Sequence, residues 1–256
     1  MIRFAEAQAG IPVSAFQVAV MVGKRRIVIA RVAQEIEAQI AVAEDRSVPT
    51  LRTLRRATNQ RLRAFQAADV VELAFELLSS AGVPRWFVYE VVQHHRQALV
   101  GLTEAQVQRL GRGLSSWDEV DTFACFIAGP AWREGQIRAQ TIHRWAISAD
   151  RWWRRAAVVS TVALNNTARG GRGDAARTLA VCAIVMSDKD DMVVKALSWA
   201  LRELARKKPE AVRRFLRSND GCLAARVVRE VNNKLETGLK NPRSGARRAR
   251  KASRPS

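Results

Sequence analysis

Two segments of the chain repeat one pattern at a fixed offset, and that repetition limits the folds available. "DRWWRRAAVV" begins at Asp150 and "DDMVVKALSW" at Asp190, an offset of 190 − 150 = 40 residues. Each sets an acid five residues before a base that alanine follows, so Asp150 and Arg155 stand in register with Asp190 and Lys195. Such a period lies in the range of HEAT-type repeats, in which paired helices stack because no pair can bury its apolar face alone. Strand signals are nearly absent, with no alternating Val/Ile/Thr run bounded by a hairpin turn.

Helix starts are legible throughout. Ser116 with Glu119 and Thr103 with Gln106 read as capping boxes, which begin helices near Trp117 and Glu104. Pro84 and Pro209 stand where a first-turn proline belongs. Further helices are expected over 12–43, 50–64, 68–80, 132–148, 151–166, 174–187, 191–206 and 221–236. The expected architecture is all-α, a curved solenoid of HEAT-like helical repeats forming one domain over residues 1–238. Residues 239–256 follow as a basic tail.

Charge points to the class of partner. Lys and Arg number 43 against 24 Asp and Glu, a formal net charge of +19. The tail "LKNPRSGARRARKASRPS" carries seven bases and no acid, and removing these seven from +19 leaves +12 on the rest. A body that basic favours a polyanion, nucleic acid first. Cys125, Cys182 and Cys222 form no C-x-x-C pair, so neither a zinc site nor a disulfide framework is suggested, and a reducing cytoplasm fits. The apolar run from Ile11 to Val22 is too short to span a bilayer, and Glu6 ahead of it is wrong for a signal peptide. The expectation is a cytoplasmic, nucleoid-associated monomer with no membrane partner.

Several chemistries have no sequence basis here. There is no G-x-x-x-x-G-K-[ST] loop, no H-E-x-x-H and no G-x-S-x-G. His94 and His95 are adjacent and His143 stands alone, so no metal site is implied. The Gly-rich "ARGGRGD" at 168–174 reads as a flexible surface loop, with phosphate contact as the alternative. Seven tryptophans against one tyrosine are unusual. Trp152 and Trp153 read as core, since a helical Trp more often packs than reacts. In "SSWDEVD", Trp117 and Asp121 lie one turn apart and share a helix face. By position alone Asp121 also reads as an acid favoured near a helix N-terminus by the macrodipole.

"SWDEVD", "WWRRAAVV" and "KALSWALRELARKKPEAVRRFL", in that order, resemble the bacterial DNA alkylation repair glycosylases of the AlkD type, which are built from HEAT-like repeats. "VPTLR" at 48–52 resembles the segment that opens that family's repeats, and the likeness runs from about residue 48 to about residue 236. The resemblance places the family's active-face Trp and Asp on Trp117 and Asp121, its Arg on Arg155 and its last Trp on Trp199. Arg154 and Lys195, beside these, are implied as further DNA contacts. The implied activity is hydrolysis of the N-glycosidic bond of cationic N3- and N7-alkylpurines in duplex DNA, without a metal or organic cofactor and without flipping the base into a pocket. Asp121 would stabilise the oxocarbenium-like sugar and orient water, Trp117 and Trp199 would face the sugar, and Arg155 would hold a backbone phosphate. The chain departs from the pattern at Asp191 and Met192, where aromatic residues are common, and residues 13–47 contain no Tyr or Trp. Two other readings stay open: a noncatalytic HEAT-like protein that binds branched or damaged DNA, and a protein-protein scaffold.

Overall fold

The computed structural model describes residues 15–242, with side chains from residue 23 onward. The basic tail beyond residue 242 and the first residues of the expected N-terminal helix lie outside the described residues. Every regular element among the described residues is helical. No helix among them is long and apolar enough to cross a membrane.

One row of helices organises the molecule: α2 (Val48–Leu62), α4 (Arg85–Gln93), α7 (Trp117–Phe123), α10 (Arg151–Asn165), α12 (Asp191–Ala205) and α14 (Ala225–Thr237). Each packs on the next in that order. Their first residues are 32 to 40 positions apart, so the offset seen between Asp150 and Asp190 is one step of a repeat that runs along the chain. The helices between them flank this row: α1 (Ala15–Ala41), α3 (Ala67–Ser79), α5 (Arg96–Val100), α6 (Glu104–Leu110), α9 (Ala139–Ala146), α11 (Ala175–Val185) and α13 (Pro209–Ser218). α8 (Gly129–Arg133) continues α7 through one turn of π-helix at Ala124–Ala128. The apolar faces of all repeats merge into a single core that runs from Ile29 to Val231. Burying one large apolar side chain such as Phe87 or Leu110 completely contributes roughly 1.5–3 kcal/mol.

The repeated acids are helix caps. Asp150 Oδ1 accepts from the Trp152 amide and Asp190 Oδ1 from the Met192 amide, both at 2.8 Å. Each cap is oriented from two residues upstream, where Ser148 Oγ accepts from the Asp150 amide and Asp188 Oδ1 from the Asp190 amide. The Thr103–Gln106 capping box forms as expected. The Ser116–Glu119 box does not: Ser116 makes no side-chain cap, and Glu119 Oε2 instead accepts from the Ser115 amide at 2.9 Å. Pro84 lies one residue earlier than expected, at the N-cap of α4 with extended backbone, while Pro209 occupies the first turn of α13.

The single helix expected over 132–148 is two. α8 ends at Arg133, Gly135 takes φ +80°, and α9 begins at Ala139. The Gln136 amide donates to the Ala131 carbonyl at 2.8 Å and the Gly135 amide to the Trp132 carbonyl at 3.2 Å, the two bonds of a Schellman stop. The Gln136 side chain then donates to the Leu99 and Leu102 carbonyls, which fixes the break against the preceding repeat. The last helix also starts later than expected, at Ala225 rather than 221, after Gly221 at φ +79°.

Candidate active site

The site is built where α7, α10 and α12 begin. α7 is positioned from beneath by aromatic packing. Phe123 lies edge-on to Trp153 and tilted against Tyr89, and Trp153 in turn lies 4.7 Å from Trp145 between ring centroids. Gly111 makes room for this stack, because a Cβ there would fall 2.6 Å from Trp153 and 2.7 Å from Phe123. The loop leading into α7 is held by Tyr89, whose hydroxyl donates to the Leu110 carbonyl at 3.0 Å, and by Arg85, which donates to the Leu110 and Arg112 carbonyls. Burial pushes the Tyr89 hydroxyl up to about 12, so it remains a donor.

α7–α8 and α10 run side by side in the same direction and approach closely. At Gly129 a Cβ would meet Ala163 Cβ and the Ser160 carbonyl at 2.6 Å. Only glycine facing small side chains allows that separation. One end of this contact is thereby fixed at Gly129, and toward the N-termini of the same two helices Asp121 meets Arg155.

The Asp121–Arg155 pair is bidentate. Arg155 Nε donates to Asp121 Oδ1 at 2.9 Å and Nη2 donates to Oδ2 at 2.8 Å, the parallel geometry that matches a planar guanidinium to a carboxylate. Arg155 Nη1 donates to the Met192 carbonyl at 2.5 Å in the first turn of α12. Three successive helices of the row are thus joined through one guanidinium. Arg155 is buried, with 5% of its surface exposed, whereas the Asp121 side chain keeps 18%. Burial raises the Asp121 carboxyl above its ordinary range, Arg155 opposes that shift, and nearby Asp118 adds to it. Cys125, one turn beyond Asp121, is fully buried, and its thiol is pushed up to about 12, so it is no thiolate at neutral pH.

The other residues singled out from the sequence take different positions. Trp117 is 57% exposed and presents its indole to solvent at the mouth of the site. Trp199 is half-buried and packs against the core, two turns along α12 from Met192. Arg154 bonds Asp188 Oδ2 at 2.7 Å and the Ser148 and Ala149 carbonyls at 2.9 Å, which ties together the loops before α10 and α12. Lys195 is half-exposed and pairs with Asp191 at 2.6 Å, and Asp191 also accepts from Arg226 at 2.7 Å. The two departures from the family pattern therefore have structural partners: Asp191 bridges α12 to α14, and Met192 supplies the carbonyl that Arg155 grips. Trp152 and Trp153 are both half-buried and pack against the core, Trp153 beside Trp145 and Trp152 beside the Arg151 guanidinium. Among the described residues no group of three or more His, Cys, Asp or Glu side chains converges as a metal ion would need.

Sequence reasoning missed Arg85, Tyr89, Gly111 and Gly129, which set the position of α7. The one available signal was "GP" at 129–130 inside an apolar run, an unusual dipeptide for a helix interior.

No protein of curated function matches the chain. Residues 47–235, close to three quarters of its length, match the family described as DNA alkylation repair enzyme. The matched span takes in the whole helix row from α2 nearly to the end of α14, including the starts of α7, which carries Trp117 and Asp121, and of α10, which carries Arg155. The chain belongs to the DNA alkylation repair enzyme family.

Proposed function

We propose that the protein is a monofunctional DNA glycosylase that releases cationic N3- and N7-alkylpurines from duplex DNA, with water as the nucleophile. The observation that carries this reading is a carboxylate fixed through both oxygens by a buried arginine, yet partly open to solvent one helical turn from an exposed tryptophan. A purine alkylated at N3 or N7 is already cationic and leaves without a general acid. The barrier lies in the positive charge that grows on the sugar, and a preorganised carboxylate lowers it because the charge is absent from the ground state.

Each residue then has a task. Asp121 faces the developing oxocarbenium ion and orients the attacking water through the lone pairs that Arg155 leaves free. Arg155 acts through Asp121 as a positioning residue, since its burial and its three bonds suit that task better than a grip on phosphate. Trp117 offers an aromatic face to the cationic sugar, which is worth about 0.5–1 kcal/mol at an exposed site and more when water is excluded. Trp199 supports the face from α12. The open setting of Trp117 suits a lesion attacked within the duplex rather than one drawn into a pocket.

The test is product analysis. The purified protein is incubated with methylated duplex DNA, and released N7-methylguanine and N3-methyladenine are separated and quantified. Free bases with matching abasic sites are expected. Tight binding without release would instead support a noncatalytic DNA-binding protein.

A further inference from the structure

The Gly-rich segment at 168–174 is not the free surface loop expected from its composition. Gly170 takes φ +81° and Gly173 φ +96°, and the Gly171 and Gly173 amides donate to the Asn166 and Leu164 carbonyls. A Cβ at Gly171 would meet the backbone of Leu164–Asn166 at 2.6–2.7 Å, so the segment folds flat over the end of α10. Arg133 donates to the Arg169 carbonyl, and Asn165 Oδ1 accepts from the Asp174 amide. The segment is therefore a built element of the row.

It is built against bases. The Cβ position of Gly173 lies 2.7 Å from Lys207 Cβ and 3.7 Å from Lys208 Cε, which brings the end of α12 onto the end of α10. Arg172, Lys207 and Lys208 are all exposed. Beside them a cleft of about 670 Å³ is lined by Arg133, Glu134, Arg172, Gly173, Asp174 and Arg177. Its acids are already answered: Glu134 pairs with Arg133 at 2.8 Å and Asp174 with Arg177 at 2.6 Å. Among the described residues, Arg172, Lys207 and Lys208 have no acid partner, so three positive charges are left to an external anion.

The cluster is remote from Asp121, at the far ends of α10 and α12, the helices that supply Arg155 and the Met192 carbonyl. Arg155 is five residues into α10 and the Gly-rich segment begins after Asn165, a separation of about 16 Å along the axis at 1.5 Å per residue. That exceeds the width of the minor groove, about 6 Å, and of the major groove, about 12 Å. A phosphate bound there belongs to a different stretch of backbone from the one at the lesion.

The geometry points to a second DNA-backbone site formed by Arg172, Lys207 and Lys208, which holds the duplex on the edge of the helix row opposite Asp121. This rests on the reading of duplex DNA as the substrate. The site reads no bases; it positions the duplex, as phosphate contacts do.

The test compares the full chain with an Arg172→Gln/Lys207→Gln/Lys208→Gln variant and with an Arg213→Gln/Arg214→Gln/Arg217→Gln control, which removes equal charge from the flanking helix α13. Duplex affinity is measured as a function of salt, and melting curves verify that all three are folded. Each lost phosphate contact lowers the log–log slope by about 0.9, so the wild-type advantage over the first variant should shrink about 40-fold between about 50 and about 200 mM salt. A steep wild-type slope that the first variant keeps, or that the control lowers equally, overturns the site while leaving the glycosylase reading intact. A wild type that binds duplex DNA without salt dependence also overturns the site, and one that neither binds duplex DNA nor releases base overturns both readings.

Discussion

Replacing Arg155 with methionine separates two tasks that this residue type can perform. In the structure Arg155 lowers the Asp121 carboxyl against the burial that raises it. Losing that opposite charge should raise the Asp121 carboxyl further, because burial then acts on it unopposed. The Arg155→Met variant should therefore lose base release on the acid limb, approaching the roughly 10²–10³-fold loss expected when the carboxylate is neutralised, and recover part of it at alkaline pH. The assay is single-turnover release at saturating protein, followed from mildly acidic to mildly alkaline conditions and corrected for spontaneous depurination. Removing one partner of a buried pair costs up to about 3–5 kcal/mol. Rates are accordingly taken well below the variant's melting temperature. Asp121→Asn supplies the reference: its release should be lower by roughly 10²–10³ and show no acid limb, because nothing is left to ionise. If Arg155→Met keeps the wild-type limb and loses only affinity and salt slope, Arg155 is a phosphate ligand and the positioning argument is wrong.

Trp117→Ala should leave the melting curve near wild type while lowering release, because its indole is mostly in solvent. Trp199→Ala should cost stability as well, toward but below the ~3–5 kcal/mol of a fully buried Trp, since Trp199 is half-buried; equal melting curves would refute that distinction. Gly129→Ala inverts the usual sign: alanine normally gains about 1 kcal/mol over glycine inside a helix, but here its Cβ would collide with Ala163 and Ser160, so a net loss of about 1–3 kcal/mol is expected in denaturant unfolding. Glu104 accepts from Arg138 and Thr141, and the Arg138 bonds hold its carboxyl down at about 2. Its stabilising contribution is thus present above the ordinary range near 4.5 and lost as pH falls toward 2, so Glu104→Gln should lower stability at neutral pH, flatten its fall in that window and leave stability at the acid end unchanged.

The elements of this protein were largely decided by local sequence. Asp150 and Asp190 cap their helices through bonds that span two residues, Thr103 and Gln106 close a box three residues long, and the 40-residue offset between the two aspartates follows from those caps. Such signals are readable because their partners are near in the chain. Trp117 and Asp121, one turn apart on one helix, are legible for the same reason. The partnerships across the row were not local. Whether Arg155 meets a phosphate or Asp121, whether Arg154 faces DNA or a loop carbonyl, and which bases remain unanswered by acids depend on how closely helices 30 to 40 residues apart approach. That approach is set at Gly129 against Ser160 and Ala163, and at Gly111 beneath Trp153, by the absence of side-chain atoms. A missing Cβ has no meaning in sequence until the opposing surface is known. The tertiary structure therefore decided the site's electrostatics, and the sequence decided which helices would carry it.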